Sequence, residues 1–466
     1  MTDSYKLNHW QQYPEGTKKV YSYFESRIGA TFPQTLFFGL QPILKDYLVG
    51  QVLTQQKIDQ AAELAAYHFG SDKLFNRVGW EYVLNKHDGH LPLQIKAVKE
   101  GSLIPTNNVL MTVENTDENC CWLTNFVESL LTHVWYPSTV ATLSYNVKKN
   151  LQTWLNLCSD SNGEFSLPYM LHDFGYRGAT CNEAAEMGGM GHLLNFVGTD
   201  TIPAIVAAKE YYEANISTTG FSVPATEHSV MTAEGKDGEE KIVARLLEQY
   251  PTGILSIVAD SYNIYNFVQN IIPKFKEQIL NRCSNDGKIS KLVIRPDSIT
   301  PEHPSPGSQV VWILQQLEKT FGCTINSKGY KVLHPKIGVL WGDGISNIGI
   351  DDVCYLVTKN GFSIESLVFG MGGGLLQKVN RDTQRFAFKC SAQYRNGEWI
   401  DIWKEPQDKS KSSKRGRLKL VKENNQYKTV PYIRGGYFHN QLVEVFRDGE
   451  LLQNYKWEEV RRQISA

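Results

Sequence analysis

The chain has 466 residues, 41% hydrophobic and 21% charged, with a formal net charge of −1. That is ordinary for a globular protein with a sizeable core, and it gives no global reason to expect nucleic acid or an anionic membrane as partner. The polar start Met1-Thr2-Asp3-Ser4-Tyr5-Lys6 lacks the apolar core of a signal peptide, and no run is long enough to span a bilayer.

The eight cysteines show neither Cys-x-x-Cys nor zinc spacing, so reduced thiols and a cytoplasmic location are expected. His87-Asp88-Gly89-His90 is the best histidine pair for a metal, but with no further ligands nearby it reads as a solvated turn. At roughly 150 residues per domain the length allows about three domains, though an α/β barrel alone can use well over 200.

In chain order, residues 19–24 alternate and are rich in aromatics, which predicts a strand. Residues 40–48 and 58–68 have helical spacing. Residues 91–113 read as two or three short strands, and 121–157 as a long apolar helical stretch broken near Pro137. This part has the texture of an α+β domain.

After about residue 167 strands and helices alternate. Helices are expected over 183–196, 202–212, 241–249, 309–321 and 350–359, and strands over 253–258, 291–294, 336–340 and 366–369. Such alternation implies parallel βαβ units. The glycines of the 183–196 helix suggest close packing. Beyond Arg381, strands return at 386–393 and 399–403 around an Asn396-Gly397 turn, and at 442–446 before Asp448-Gly449. The expected division is 1–140 with 386–466 as an antiparallel α+β domain, and 141–385 as an α/β barrel.

Each strand after residue 250 ends in a polar cluster: Asp260-Ser261-Tyr262, Arg295-Pro296-Asp297-Ser298, Gly342-Asp343-Gly344, and finally Gly370-Met371-Gly372-Gly373-Gly374. In a βα barrel the C-terminal strand ends carry the site, and the last loops often hold a phosphate. The last cluster fits an anion nest, with glycines free to take positive φ and a helix over 375–381 behind them. It lacks the Gly-Lys-Ser/Thr of a Walker loop, and Leu375 stands where the dinucleotide fingerprint needs its third glycine. A plain βα turn is the alternative.

Arg295 and Asp297 suit a phosphate and a sugar hydroxyl or hydrated magnesium, or else a structural ion pair. In His172-Asp173-Phe174-Gly175-Tyr176-Arg177-Gly178, aromatics can stack on a flat ring and Arg177 can bind a carbonyl or phosphate; a buried aromatic corner is the competing reading. Asp200 either caps the following helix or accepts from a ligand amide. His228 sits on a small, polar loop and is either structural or catalytic. The basic stretch 404–419 reads as a solvated face or a loop closing over polyphosphate; nucleic acid is disfavoured because no stacking aromatics are interleaved with its charges.

These motifs, together with Val20-Tyr21-Ser22-Tyr23-Phe24-Glu25-Ser26-Arg27, Gly198-Thr199-Asp200-Thr201, Ser222-Val223-Pro224-Ala225-Thr226-Glu227-His228-Ser229 and Gly372-Gly373-Gly374-Leu375-Leu376-Gln377-Lys378, closely resemble the nicotinamide phosphoribosyltransferase family, in order over nearly the whole chain. The resemblance implies a type II phosphoribosyltransferase: an irregular α/β barrel plus an antiparallel α+β sandwich domain, acting as a homodimer with sites at the subunit interface. The implied reaction is transfer of the ribosyl phosphate of phosphoribosyl pyrophosphate to nicotinamide in NAD salvage, with magnesium and with ATP as an optional driver.

Carried over residue by residue, Phe174 and Tyr5 of the other subunit stack the pyridine ring, Arg177 contacts the amide carbonyl and Asp200 accepts from the amide NH₂. Arg295, Asp297, Gly342 and Asp343 hold the ribose, and Gly372, Gly373 and Arg381 the 5′-phosphate. His228 is phosphorylated by ATP. Arg27, Lys389, Lys404 and the loop lysines meet pyrophosphate or ATP. The resemblance counts His228, Asp260, Arg295 and Asp297 as catalytic, and Asp3, Ser256 and Lys378 as further substrate-binding residues.

The segment after Arg27 is shorter than in animal members, which points to a bacterial or phage-like relative. The rivals are a nicotinate phosphoribosyltransferase, which would lack the Asp200 carboxylate, and a non-catalytic nucleotide-binding homologue.

Overall fold

Six parallel strands form one sheet: β1 (Leu171–Asp173), β2 (Gly198–Thr199), β3 (Ile254–Val258), β4 (Lys291–Arg295), β5 (Ile337–Trp341) and β6 (Leu367–Met371). Their spatial order is β2-β1-β6-β5-β4-β3. Residues 221–226 bridge both edges. Gly198 pairs in parallel with Phe221, and Ala225 with Ser256, through Thr199 N to Phe221 O at 3.0 Å and Ser256 N to Pro224 O at 2.9 Å. The sheet is thereby closed into an irregular barrel.

This is a computed structural model, and it describes residues 2–283, 290–407, 412–432 and 439–464. Strands buried on both faces read as continuous apolar runs, and β5 is buried at every position. The first two strands escape a reading of the sequence because β1 and β2 are short and carry His172, Asp173, Gly198 and Thr199 rather than branched apolar residues.

Helices Asn182–Leu193, Glu239–Gln249, Pro306–Phe321 and Asn347–Lys359 lie within a residue or a few of the expected bounds. Sequence chemistry sets their starts. Ser305 and Ser308 form a capping box, and Ser346 caps Gly349. Close packing at the Asn182–Leu193 helix is real, since a Cβ on Gly189 would lie 2.5 Å from that of Ala204. The stretch after residue 263 carries no clear pattern in the sequence; it contains the π-helical turn Phe267–Ile271, followed by Pro273, which cannot donate to a regular ladder.

The other unit holds a seven-stranded antiparallel sheet. Its strands run in the order Glu398–Asp401, Phe386–Arg395, Thr17–Ser26, Val109–Asn115, Leu93–Ala97, Val443–Arg447 and Glu450–Leu451. Asn396-Gly397 and Asp448-Gly449 have positive φ at both residues, as a two-residue hairpin requires. Phe24 stacks on Phe386 with centroids 5.1 Å apart. The hairpin Leu418–Glu423 with Gln426–Pro431 was not anticipated, and it takes over the end of the expected basic loop.

Helix Leu123–Thr132 ends before Pro137, which sits in the first turn of Trp135–Cys158, where its missing N–H leaves no bond unmade. Contacts divide the chain into Met1–Thr142, Ala207–Ala214 and Val379–Ala466 on one hand, and Leu143–Val206 with Asn215–Lys378 on the other. Arg381 therefore belongs with the antiparallel unit.

Candidate active site

Asp173, at the end of β1, organises one side of the barrel rim. Its Oδ1 accepts from Gly175 N at 2.7 Å. Its carbonyl accepts from Asp200 N at 2.9 Å, while Phe174 N donates to Met371 O at 3.0 Å. Two loops proposed to grip one ligand are thus fixed on a single residue. Burial pushes the Asp173 carboxyl up to about 6, against the opposing hydrogen bonds from Gly175 and Thr201.

The Asp200 side chain is exposed, and its Oδ1 accepts from Ser222 Oγ at 2.5 Å. This cross-loop contact is neither of the two readings of Asp200, a helix cap or an acceptor for a ligand amide. Arg177 is exposed, on the short 3-10 turn Tyr176–Gly178.

The glycine loop differs from expectation in two ways. None of Gly370, Gly372, Gly373 and Gly374 has positive φ. What excludes a side chain at two of them is contact, since a Cβ on Gly370 would lie 2.1 Å from Phe174 Cε2 and one on Gly374 2.7 Å from Ile345 O; one on Gly372 would be tight, 3.2 Å from Phe174 O. Gly342 faces the same Phe174 atom at 3.4 Å. Only Gly370 makes room for the Phe174 ring itself; Gly372 lies against the Phe174 backbone and Gly374 against Ile345 and Met371. Gly373 is the exception, because a Cβ there would meet only Gln377 Oε1, at 3.6 Å, leaving that face open for a ligand.

The helix behind the loop is a single turn, Gly373–Leu376, not one reaching Arg381. Gln377 leaves helical φ/ψ, and Lys378 N turns back to Gly373 O at 2.7 Å.

On the opposite staves His228 Nε2 lies 3.3 Å from Asp260 Oδ1, and Ser298 Oγ donates to Asp260 Oδ2 at 2.5 Å. His228 is half exposed, whereas only 8% of the Asp260 side chain is accessible. The Asp343 carboxyl is raised by burial and then by the charges of Asp297 and Asp260. A carboxyl raised by neighbouring carboxylates suits a cation or a developing positive charge.

Polar atoms at the rim are buried without a partner: Ser256 Oγ, Ser261 Oγ, Arg295 Nε and Glu239 Oε1. Such orphans are rare in folded proteins, and at the rim a water, an ion or a ligand can complete their bonding. Glu239 was missed in the sequence. It opens a helix and is fully buried, and burial followed by the Asp260 charge drives its carboxyl up to about 7. An acidic residue at a helix start looks like dipole complementation, so nothing local flagged it.

The antiparallel unit carries the remaining candidates. Arg27, Arg381 and Lys389, with Arg385 and Glu128, line one cavity of about 240 Å³. Arg27 Nε and Nη2 have no hydrogen-bond partner there, and burial lowers the Lys389 ammonium. Asp3 and Tyr5 lie at the start of the 3-10 helix Ser4–Gln11.

Lys404 is exposed, with its N–H on Ser413 Oγ at 2.8 Å. Lys414 is not a free loop cation, since its ammonium is taken by the buried Glu25. Lys409 and Lys411 lie outside the described residues. Aromatics do back the basic segment, contrary to the linear reading: Arg417 stacks on Trp399 and Tyr432, and Arg415 on Trp403.

A closed parallel barrel with its polar groups at the strand C-termini, joined in one chain to an antiparallel domain, is the architecture of type II phosphoribosyltransferases. Two solved structures share the fold over the whole of this chain and 93% of their own: nicotinate-nucleotide pyrophosphorylase from Pyrococcus furiosus (TM-score 0.54, 14% identity) and human nicotinic acid phosphoribosyltransferase (TM-score 0.57, 12% identity). Residues 169–450 match the nicotinate phosphoribosyltransferase (NAPRTase) family, and residues 1–95 match the N-terminal domain of nicotinamide phosphoribosyltransferase.

Curated relatives named nicotinamide phosphoribosyltransferase include that of Xanthomonas campestris, 41% identical over 100% of this chain and 97% of its own. That of Acinetobacter baylyi is 34% identical over 99% and 96%. The chain belongs to the family of nicotinate and nicotinamide phosphoribosyltransferases.

Proposed function

We propose that this chain transfers the 5-phosphoribosyl group of phosphoribosyl pyrophosphate to the pyridine nitrogen of nicotinamide, yielding nicotinamide mononucleotide and pyrophosphate. The observation that carries the choice of base is Asp200, an exposed carboxylate tied through backbone to the residue preceding Phe174. A carboxylate facing the amide NH₂ of nicotinamide accepts a hydrogen bond. Facing nicotinate, it would meet a like charge at a cost of several kcal/mol if both were desolvated.

In this reading Phe174 stacks one face of the base, Tyr5 of a second copy the other, and Arg177 donates to the amide carbonyl. Arg295, Asp297, Ser256, Gly342 and Asp343 hold the ribose. Gly372 and Gly373, with Lys378 and Arg381, hold the 5′-phosphate. The C1–O bond to pyrophosphate breaks as the C1–N bond forms, and Asp260, Asp297 and Asp343 stabilise the positive charge that develops on the sugar. Arg27, Lys389 and Lys404 take the leaving pyrophosphate.

The only three His, Cys, Asp or Glu ligand atoms that cluster within 4.8 Å among the described residues are those of His87, Asp117 and Cys120. Asp117 there already accepts from Tyr82. The rim carboxylates therefore fit a hydrated magnesium ion carried in by phosphates better than a direct cage. Bound in that way, magnesium neutralises charge on the leaving group.

ATP would phosphorylate His228, which Asp260 orients. The enzyme would act as a homodimer in the cytoplasm. No helix among the described residues is long and apolar enough to cross a membrane.

The test supplies phosphoribosyl pyrophosphate, magnesium and either base, with and without ATP, to the protein and to His228→Ala. Nicotinamide is expected as the preferred base, with ATP stimulation lost in the variant and basal transfer kept. Preference for nicotinate overturns the Asp200 assignment, and unchanged ATP stimulation overturns that of His228.

A further inference from the structure

The antiparallel unit contains a second cavity, of about 560 Å³, that shares no lining residue with the cationic one. Its volume is within the roughly 300–1,000 Å³ of small-molecule pockets. Leu7, Leu53, Ile58, Trp80, Phe126 and Leu130 form its apolar wall. Lys57 and His68 are its basic lining residues, both exposed, and no Asp or Glu is among its lining residues. Lys57 Nζ gives one hydrogen bond, to Val52 O at 2.9 Å, which leaves two of its three protons for an anion. The pocket is thus apolar inside, and its exposed lining combines Lys57 and His68 with Ser4, Tyr47 and Leu64, so its only charged or basic groups are at the opening.

Its position gives it a consequence. Thr2, Ser4 and Leu7 line it, so the start of the chain lies against it. The same segment presents Tyr5, 57% exposed. Thr2 Oγ1 donates to Phe126 O at 2.8 Å, and the buried Lys6 pairs with Glu128 at 3.2 Å and donates to Asn125 at 3.3 Å. The helix that holds the Tyr5 segment is therefore also a wall of the pocket.

We propose that this pocket binds an acyl carboxylate, its chain among Leu53, Ile58 and Trp80 and its head group at Lys57 and His68, and that the occupant sets the position of Tyr5. The second clause rests on the proposed role of Tyr5 in binding the base; the first does not.

The binding test uses the full chain without transferase substrates. Decanoate and decanol are titrated separately, below micelle-forming concentrations, with calorimetry and tryptophan fluorescence as readouts. One saturable decanoate site per chain is expected. Ala61→Phe, which fills the pocket, should weaken decanoate by about tenfold or more. Lys57→Met, at an exposed position that the fold does not need, should weaken decanoate by roughly fivefold to tenfold and leave decanol unchanged.

Absence of saturable binding, or binding untouched by both variants, overturns the site. Equal weakening of decanoate and decanol by Lys57→Met overturns the head-group assignment. Decanoate should also change the KM for nicotinamide by about twofold or more in the parent and not in Ala61→Phe. Binding with no change in KM overturns the link to Tyr5 and leaves the transferase reading standing.

Discussion

The barrel rim and the cationic cavity of the antiparallel unit are built by opposite rules. At the rim each polar group stands at a strand end, Asp173 as the last residue of β1, and Asp260, Asp297 and Asp343 within two residues after β3, β4 and β5. The cavity gathers Arg27 from the end of one strand, Glu128 from a helix, and Arg381, Arg385 and Lys389 from a segment more than 350 residues beyond Arg27. Four cations and few carboxylates there make a diffuse anion site, in which no one charge is indispensable. The rim instead presents its polar groups one at a time, each from a separate strand end, and in the proposed reading each meets its own part of the ligand. The two should therefore respond differently to losing one side chain.

The largest effect is expected at Arg295. Its buried Nε has no protein partner, and no neighbouring cation substitutes for it among the rim residues named for the site. Arg295→Ala should lower kcat/KM by about 10²–10³, the range for losing one preorganised charge stabiliser, measured as mononucleotide formed at saturating magnesium. Lys389→Ala in the cavity should cost only about tenfold, chiefly in the KM for phosphoribosyl pyrophosphate. That loss should shrink at high salt, because the remaining arginines are screened with it. Losses of equal size and equal salt dependence would break the distinction.

The glycine loop sharpens the contrast inside the rim itself. Gly370→Ala should displace the Phe174 ring, raise the KM for nicotinamide and cost about 1–3 kcal/mol in denaturant stability, as overpacking does. Gly373→Ala has open space in front of it. Its stability should stay within about 0.5 kcal/mol of the parent, while the KM for phosphoribosyl pyrophosphate rises. If Gly373→Ala destabilises as much as Gly370→Ala, the open face is structural and not a phosphate seat.

The same contrast explains what could be read in advance. The alternation of helices with apolar strands, the polar strand ends and the Asn-Gly and Asp-Gly hairpins are local patterns, and they stand where they were expected. The expectation of positive φ at Gly370 failed, because its need for a missing Cβ comes from Phe174, which approaches from a loop far away in sequence. Strands β1 and β2 were invisible because two or three residues, Leu171-His172-Asp173 and Gly198-Thr199, are too few to show a period. Arg385 was overlooked for a similar reason, since only the fold brings it to Arg27 and Lys389. Lys414 looked like one more loop cation until the structure paired it with Glu25, from the inner strand Thr17–Ser26 of the antiparallel sheet.

Glu239 offers the smallest and most specific test. Its carboxyl titrates near 7 in the folded chain against 4.5 for an ordinary glutamate, because burial and then the Asp260 charge disfavour ionisation. Between those values the folded state holds a proton that the unfolded state has released, so this group makes stability fall as pH rises from about 4.5 to about 7. Asp173, raised to about 6, adds a contribution of the same sign. Glu239→Gln keeps the shape of the neutral acid and removes the ionisation. The variant should match the parent near pH 4.5 and exceed it above pH 7 by up to a few kcal/mol, since each tenfold difference in proton affinity between folded and unfolded chain is worth about 1.4 kcal/mol. Urea midpoints of both proteins at pH 5 and pH 8 measure it. A difference that does not grow with pH would mean that Glu239 and Asp260 do not compete for one charge, and the rim would then have to tolerate both carboxylates ionised beside His228.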